Sequence, residues 1–464
     1  MAKTGGLGDV AASLPVALAH SGVDIRLMMP AYPSTFEHVR GLAVDRHFDD
    51  VAGFGDIDLL GGRTPSDLRI WLVVCRRLYD RPGGPYHDEY GNQWPDNLER
   101  FALLCQAAGR LAADGGDWSP NVVHANDFHA ALIPSLLNGR ASDVKTLLTI
   151  HNALYQGEAT REQLRSFGVP SQRLERFGSG KLSFLSLGVQ QAGLLNAVSP
   201  TYAKELQTPE YGCGLEDLFA ARARDLSGIL NGVDYELWDP GHDPHLAHAY
   251  SDRNLAGKAS CKAALLEEMH LDTSLSAPLI GIVSRLTWQK GLDLVIRSAE
   301  HLLTAGARIV VLGVGEKSLA HGFRDLADRH PDRVGARLEH DEALAHRIIA
   351  GADIFAMPSR FEPCGLSQLY SLRYGTVPVV SAVGGLADSV VDAGERGIAE
   401  GATTGFAFTE LTPQAFLAAA RKAIGLYPNR ALWQALQRNG MRQDFGWDRS
   451  AQSYRELYGR LLST

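Results

Sequence analysis

The residues able to do chemistry in this chain gather just past the ends of apolar runs. Ser359-Arg360-Phe361-Glu362-Pro363-Cys364-Gly365-Leu366 follows the apolar run 352–357, and Glu362 is the lone carboxylate of that octet. An acid just beyond a buried strand stands where open α/β sheets take their ligands. Pro363 suits the first turn of a helix, which places Glu362 near its N-cap. The backbone amides of Gly365, Leu366 and Ser367 would then point outward as an anion cradle. A second junction of the same kind is 284–293, after the apolar run 279–283. There Arg285 offers a fork to two phosphate oxygens and Lys290 adds a compact point charge, although a solvated surface turn would carry the same pair. A carboxylate, an anion cradle and two cations together call for a ligand with both hydroxyls and phosphates, and a sugar nucleotide fits.

Other candidates are spread over the first half. Lys3-Thr4-Gly5-Gly6-Leu7-Gly8 is a glycine-rich turn entering a helix that runs from Val10 to His20. It would supply amides and one ammonium to an anion, or be simply a flexible start. Asp127, in His124-Ala125-Asn126-Asp127-Phe128-His129, and His151, in His151-Asn152, each follow an apolar strand and are candidates to hold sugar hydroxyls. Tyr86 lies in a long loop with Gly83, Gly84 and Trp94, a setting that suits stacking on carbohydrate as well as plain loop packing. Two patterns are discounted. Gly313-Val314-Gly315 lacks the third glycine of a dinucleotide fingerprint, and Asp56-Ile57-Asp58 has the form of a metal-binding pair without any supporting cluster.

These residues need sheets to position them. Strand-like runs at 23–29, 68–74, 121–124 and 146–150, then at 279–283, 307–312, 352–357 and 377–380, alternate with helical patterns. Such alternation predicts parallel sheets covered by helices, here two doubly wound domains facing a cleft. Turn residues in 230–244 mark a linker near 235–245, and an amphipathic helix runs from Trp447 to Leu462. A length of 464 residues exceeds one ordinary core. The net charge of −8, without any basic run, argues against nucleic acid or a membrane surface as partner. No apolar stretch approaches the roughly 18 residues a bilayer span needs. The opening residues lack the apolar core of a signal peptide. Five scattered cysteines without a C-x-x-C pair predict a reduced, cytoplasmic protein without structural zinc.

Assembled in order, the motifs closely resemble the family of bacterial glycogen synthases and plant starch synthases. The resemblance rests on K-T-G-G-L-x-D-V (3–10), P-Y-H-D (85–88), H-x-x-D-x-H-A (124–130), I-H-N (150–152) and V-S-P-T-Y-A (198–203). It continues in L-N-G-V-D (230–234), S-R-L-T-x-Q-K-G (284–291), S-R-F-E-P-C-G-L (359–366) and G-G-L-A-D (384–388). It implies an α/β glycosyltransferase B fold: two Rossmann-like domains and a C-terminal helix crossing back onto the first. The implied boundaries are 1–235 for a glucan-acceptor domain, 236–446 for a nucleotide-sugar domain and 447–464 for the returning helix. The implied reaction moves glucose from ADP-glucose to the non-reducing end of an α-1,4-glucan, with retention, no cofactor and no metal.

Carried over by residue, Lys3 and Gly6 approach the phosphates from the first domain. Arg285, Lys290 and the amides of Leu366 and Ser367 neutralise the departing diphosphate. Glu362, the Cys364–Gly365 backbone, His151 and Asn231 hold the glucose hydroxyls, and Asp127 and Tyr86 lie on the acceptor side. The chain departs from the family pattern in three places. Phe128 stands where Trp is frequent, His340 occupies the place of an adenine-stacking Tyr, and the strand expected before Lys3 is not in the sequence. A sugar-nucleotide or glucan binder that keeps the fold without turnover, or a truncated inactive form, is the main alternative. The missing strand favours it, and the joint presence of Lys3, Arg285, Lys290 and Glu362 opposes it. A B-fold epimerase is another enzyme reading, and a phosphorylase is disfavoured by length and by the lack of a pyridoxal-lysine setting.

Overall fold

Runs such as Ile309-Val310-Val311 and Val377-Pro378-Val379-Val380 are apolar without alternation, and such strands are stable only with both faces covered. The fold places them so. The computed structural model describes residues 5–114, 118–137, 143–175, 177, 182–274, 276–393 and 395–463. It divides into two compact units, one of Met1–Gly232 with Trp447–Thr464 and the other of Val233–Gly446.

The second unit is built on β9 (Leu279–Val283), β10 (Arg308–Leu312), β11 (Val334–Arg337), β12 (Ile354–Met357), β13 (Val377–Ser381) and β14 (Phe406–Phe408). All pair in parallel in the order β11-β10-β9-β12-β13-β14. The chain steps outward from β9 to β11, then returns to lay β12 on the other side of β9. That reversal makes the carboxyl ends of β9 and β12 the switch point of the sheet. Val295 and Leu302 of helix Leu292–Thr304 share a core with Ile282, Ile309, Val379, Phe416 and Trp433. The stretch 235–245, read as a linker, is packed into this unit. Trp238 is buried and stacked between His346 and Tyr370 at 3.7 and 3.9 Å, and Asp243 accepts from His346 and Tyr374.

One glycine keeps the two site loops together. Gly291 ends the turn Trp288–Lys290 at φ 63°, and a Cβ there would run into the carbonyl oxygen of Pro358, just past β12. Gly291→Ala is expected to cost about 1–2 kcal/mol for the left-handed backbone alone, and more as the loops part. Melting temperature and kcat should both fall. A variant matching the parent in both would show that this close approach is not needed.

In the first unit the described strands form two sheets. Strands β1 (Arg26–Pro30), β2 (Arg40–Phe48), β3 (Ile57–Arg63) and β4 (Arg69–Val74) lie in the order β1-β4-β3-β2. β1 runs parallel to β4, whereas β2, β3 and β4 are antiparallel, a meander that the expectation of purely parallel sheets did not include. Most of β2 is exposed, so it lacks the buried apolar run that marks a parallel strand. The other sheet is β5 (Val122–Asn126), β6 (Lys145–Ile150), β7 (Leu194–Ala197) and β8 (Leu226–Gly228), parallel throughout and in that order. Helix Trp447–Leu462 returns to this unit, packing Trp447, Tyr454, Leu457 and Leu461 against Val10, Leu14 and Leu18 of helix Gly5–His20 and against Leu147 and Leu194.

Candidate active site

In the second unit, the ends of β9 and β12 enclose a cavity of ≈ 160 Å³ lined by Ser284, Arg285, Lys290, Met357, Ser359 and Ser367, among others. The turn 288–290 and the loop 359–362 are stapled to each other. Arg360 grips Asp293 with both terminal nitrogens at 2.7 and 2.8 Å, donates to the Trp288 carbonyl at 2.8 Å and lies over the Trp288 ring. The Arg360 amide donates to the Gln289 carbonyl at 2.8 Å. Within that frame Lys290 Nζ donates to Glu362 Oε2 at 2.5 Å, and Ser359 Oγ donates to the same oxygen at 3.0 Å. Both partners of the ion pair are largely buried, with 17% and 7% of their side chains exposed. Arg285 differs. Its side chain is exposed at the cavity and makes no hydrogen bond or ion pair among the described residues.

The helix past Glu362 begins later than its proline predicts. It spans Ser367–Arg373 with Leu366 as N-cap, so Pro363 and Glu362 belong to the preceding loop. Gly365 at φ 69° turns the chain out of helical backbone and delays the start. The amides of Leu366 and Ser367, opening the helix, have no intrahelical acceptor. Cys364 is buried, and its carbonyl accepts from Gln368 Nε2 at 3.0 Å. Gly313-Val314-Gly315, discounted as a fingerprint, buttresses the Arg285 loop instead. Leu286 donates to Val314 at 2.8 Å, Glu316 donates back to Leu286 at 2.7 Å, and the Trp288 amide donates to the Glu316 carboxylate. His340 is exposed beyond β11, with β10 between that strand and β9, and does not line the cavity.

In the first unit, Asp127, His151 and Asn231 follow β5, β6 and β8 at the carboxyl edge of one sheet, and all three are buried. Asp127 sits at φ 59°, a left-handed conformation that Asp tolerates better than most residues. Burial raises its pKa to about 7, opposed by backbone amides of Asn152, Phe128 and His151. His151 Nε2 lies 3.0 Å from Asn126 Oδ1, and burial lowers its pKa to about 3, which keeps it neutral. Tyr86 is half-buried, its phenol pKa raised by burial and then by the Asp127 charge, and its ring lies 5.3 Å from His129. Phe128 packs edge-on to Phe101 at 5.5 Å. Asp127 Oδ1, Asn231 Oδ1 and both ring nitrogens of His129 are buried without a partner among the described residues. Orphaned polar atoms are uncommon in a folded interior and fit a site that takes a hydroxyl-rich ligand. Gly6 is exposed on helix Gly5–His20, and Lys3 lies outside the described residues.

His129, the Arg360–Asp293 grip and Ser359 were not singled out from the sequence. Arg360 and Ser359 lie inside the S-R-F-E motif, but only the fold reveals their partners. His124 proves structural: its two nitrogens lie 2.9 Å from Tyr458 OH and 2.7 Å from Thr149 Oγ1.

These histidines set a pH dependence. Burial lowers the pKa of His124 to about 4 and that of His129 and His151 to about 3, from 6.5. On acidification below 6.5 the unfolded chain binds protons that the folded imidazoles refuse, so stability falls. Asp127 opposes this between 3.8 and about 7, where the folded carboxyl keeps a proton that the unfolded one has lost. Three groups outweigh one, and the melting temperature should drop from pH 7 to pH 5. His129→Phe, with the same aromatic neighbours and no orphan nitrogens, should lose less over that interval. An equal acid loss in both proteins would contradict the burial account.

Parallel sheets with candidate anion-binding loops at a switch point in one unit and hydroxyl-binding candidates at a sheet edge in the other fit a glycosyltransferase of the B-fold class. The starch synthase catalytic domain family matches residues 1–221, and the glycosyl transferases group 1 family matches 277–425. The glycogen synthase of Paramagnetospirillum magneticum is 45% identical, with 99% of this chain and 95% of the relative covered. That of Thioalkalivibrio sulfidiphilus is 47% identical, with 99% and 97% covered. The catalytic domain of starch synthase IV from Arabidopsis thaliana, solved with ADP and acarbose, superposes with a TM-score of 0.89 at 30% identity, covering 100% of this chain and 97% of that one. The chain belongs to the glycogen synthase and starch synthase family of glycosyltransferases. Among the described residues no helix is long and apolar enough to cross a membrane.

Proposed function

We propose that the chain transfers glucose from ADP-glucose to the non-reducing end of an α-1,4-glucan, with retention at the anomeric carbon and without a metal ion. The observation that carries this reading is the unpartnered Arg285 at the β9–β12 switch point, beside the Lys290–Glu362 pair. In this reading residues 236–446 bind the nucleotide sugar, residues 1–235 bind the glucan, and helix 447–464 completes the glucan unit. A relative solved with ADP and acarbose supports both ligand classes.

The diphosphate lies in the cavity, with Arg285 on two of its oxygens and the amides of Leu366 and Ser367 on others. Lys290 has three donors and serves a phosphate while keeping Glu362. Negative charge grows on the leaving oxygen as the glycosidic bond breaks, so these groups bind the transition state more strongly than the ground state. Glu362 and the Cys364–Gly365 backbone receive glucose hydroxyls, and His151 and Asn231 are the hydroxyl-binding candidates of the first unit. The adenine runs along the carboxyl edge toward β10 and β11, where His340 stands. Tyr86 and Asp127 face the acceptor. Lys290 and Ser359 hold Glu362 as a hydroxyl acceptor rather than a nucleophile, so the acceptor attacks on the face that ADP leaves, assisted by the departing phosphate. Five scattered cysteines without a C-x-x-C pair support a cytoplasmic setting.

Donor competition tests this. With equal ADP-glucose and UDP-glucose, maltoheptaose as acceptor and excess EDTA, the ADP donor should be consumed first and EDTA should change nothing. Preference for the UDP donor, or loss of extension on chelation, would overturn the donor or the metal-free part of the reading.

A further inference from the structure

The first unit carries a second set of cations that glucosyl transfer leaves unused. The register of its mixed sheet sets Arg40 opposite Arg63, Arg63 opposite Arg69 and Arg69 opposite Arg26. Four arginines thus form one row across β2, β3, β4 and β1, and all four line a cavity of ≈ 550 Å³. With neighbouring strands about 4.8 Å apart, the row is about 14 Å long. Like charges directly opposite destabilise a sheet, so a row of four calls for anions against it.

The protein supplies only some of them. Asp67 accepts from Arg63 through its carbonyl and carboxylate at 2.7 and 3.1 Å, and Asp24 lies 3.7 Å from Arg26. Asp45 also lines the cavity and accepts from the Trp71 indole at 2.7 Å. The side chains of Arg40 and Arg69 are exposed and have no hydrogen bond or ion pair among the described residues. Arg26 is mostly buried, with its Nε lacking an acceptor, and its guanidinium lies over Trp118 at 4.1 Å and Trp71 at 5.6 Å. Stacking of that kind holds the plane of the group and leaves its N–H edges for a ligand.

The trough has a built floor. Ala43, Gly61 and Trp71 are cross-strand neighbours beside the arginine row, with the Asp45 side chain standing over Gly61. Helix Asn97–Ala113 packs Leu103, Ala107 and Leu111 with Leu59 and Val73, farther along the strands. The net charge of −8 disfavours long polyanions such as nucleic acid and leaves small ones. We infer that this trough binds a small extended anion with at least two phosphate groups, either a short linear oligophosphate or a sugar bisphosphate, at a site separate from the donor cavity.

Calorimetric titration of the whole chain at low ionic strength with tripolyphosphate, fructose 1,6-bisphosphate and orthophosphate tests this. Arg63→Gln/Arg69→Gln serves as the site variant and Arg285→Ala as the donor-cavity control. At least one multi-phosphate probe should bind the parent and Arg285→Ala more tightly than orthophosphate does, and the better of the two identifies the ligand type. The double variant should weaken that binding about tenfold or more, since two charge-assisted contacts are lost. Without anion it should melt no lower than the parent, because opposed like charges have been relieved. Arg40→Gln, at the exposed end of the row, should shift affinity in the same direction and covers the case of a poorly folding double variant. Absence of multi-phosphate binding at millimolar concentration, or affinity unchanged by both site variants, overturns the inference.

Discussion

Arg285→Ala is expected to lower kcat by about 10²–10³-fold while leaving the melting temperature almost unchanged. The two effects separate because Arg285 holds nothing in the resting protein. Its side chain is exposed at the cavity between β9 and β12 and has no partner among the described residues. In the proposed reaction its whole contribution comes when a diphosphate accumulates charge as the leaving group, in a site where water no longer screens it. Arg285→Lys should recover only part of the rate, because an ammonium cannot grip two oxygens of a planar fork. Steady-state kinetics with ADP-glucose and a maltooligosaccharide, run beside thermal melts, checks both parts. A near-parental kcat would remove Arg285 from the chemistry, and a large loss of melting temperature would show an unseen structural role.

Lys290→Ala is expected to fail on both counts. Its ammonium is bonded to Glu362 at 2.5 Å, and removing it leaves a mostly buried carboxylate held, among the described residues, by Ser359 alone. The stability loss should be about 2–3 kcal/mol in the second unit, with a rate loss at least as large as that of Arg285→Ala. Two cations that look alike in the sequence thus separate into one working only on the ligand and one that also anchors the loop. Glu362→Gln in the Lys290→Ala background is the informative companion. It removes the stranded charge, so it should restore most of the stability and none of the rate. Failure of the double variant to regain stability would mean that the ion pair is not what Lys290 contributes to the fold.

That distinction marks where the sequence stops being legible. Arg285, Lys290 and Glu362 could be picked out because each follows an apolar run that had to be a buried strand. That Lys290 meets Glu362, 72 residues away, could not be read, since it depends on β12 lying beside β9 rather than beyond β11. The helix 447–462 was legible from its amphipathic period and is seen at those bounds. The β2–β3 meander was not, because most of β2 is exposed, and β7 and β8, of four and three residues, are too short to show a period. At the sheet edge of the first unit, Asp127 and His151 were visible as polar residues after strands. His129 beside them was not, since only packing reveals that neither ring nitrogen has a partner among the described residues.

The measurement that tests the central claim most directly is the fate of the donor glucose. Incubation with ADP-glucose carrying ¹³C at its anomeric carbon and an unlabelled maltooligosaccharide, followed by NMR, reads linkage, configuration and stoichiometry in one spectrum. The account predicts new α-1,4 signals at the non-reducing end, with one ADP released per glucose added. Label recovered as free glucose, in a β linkage, or still on ADP after prolonged incubation would contradict it.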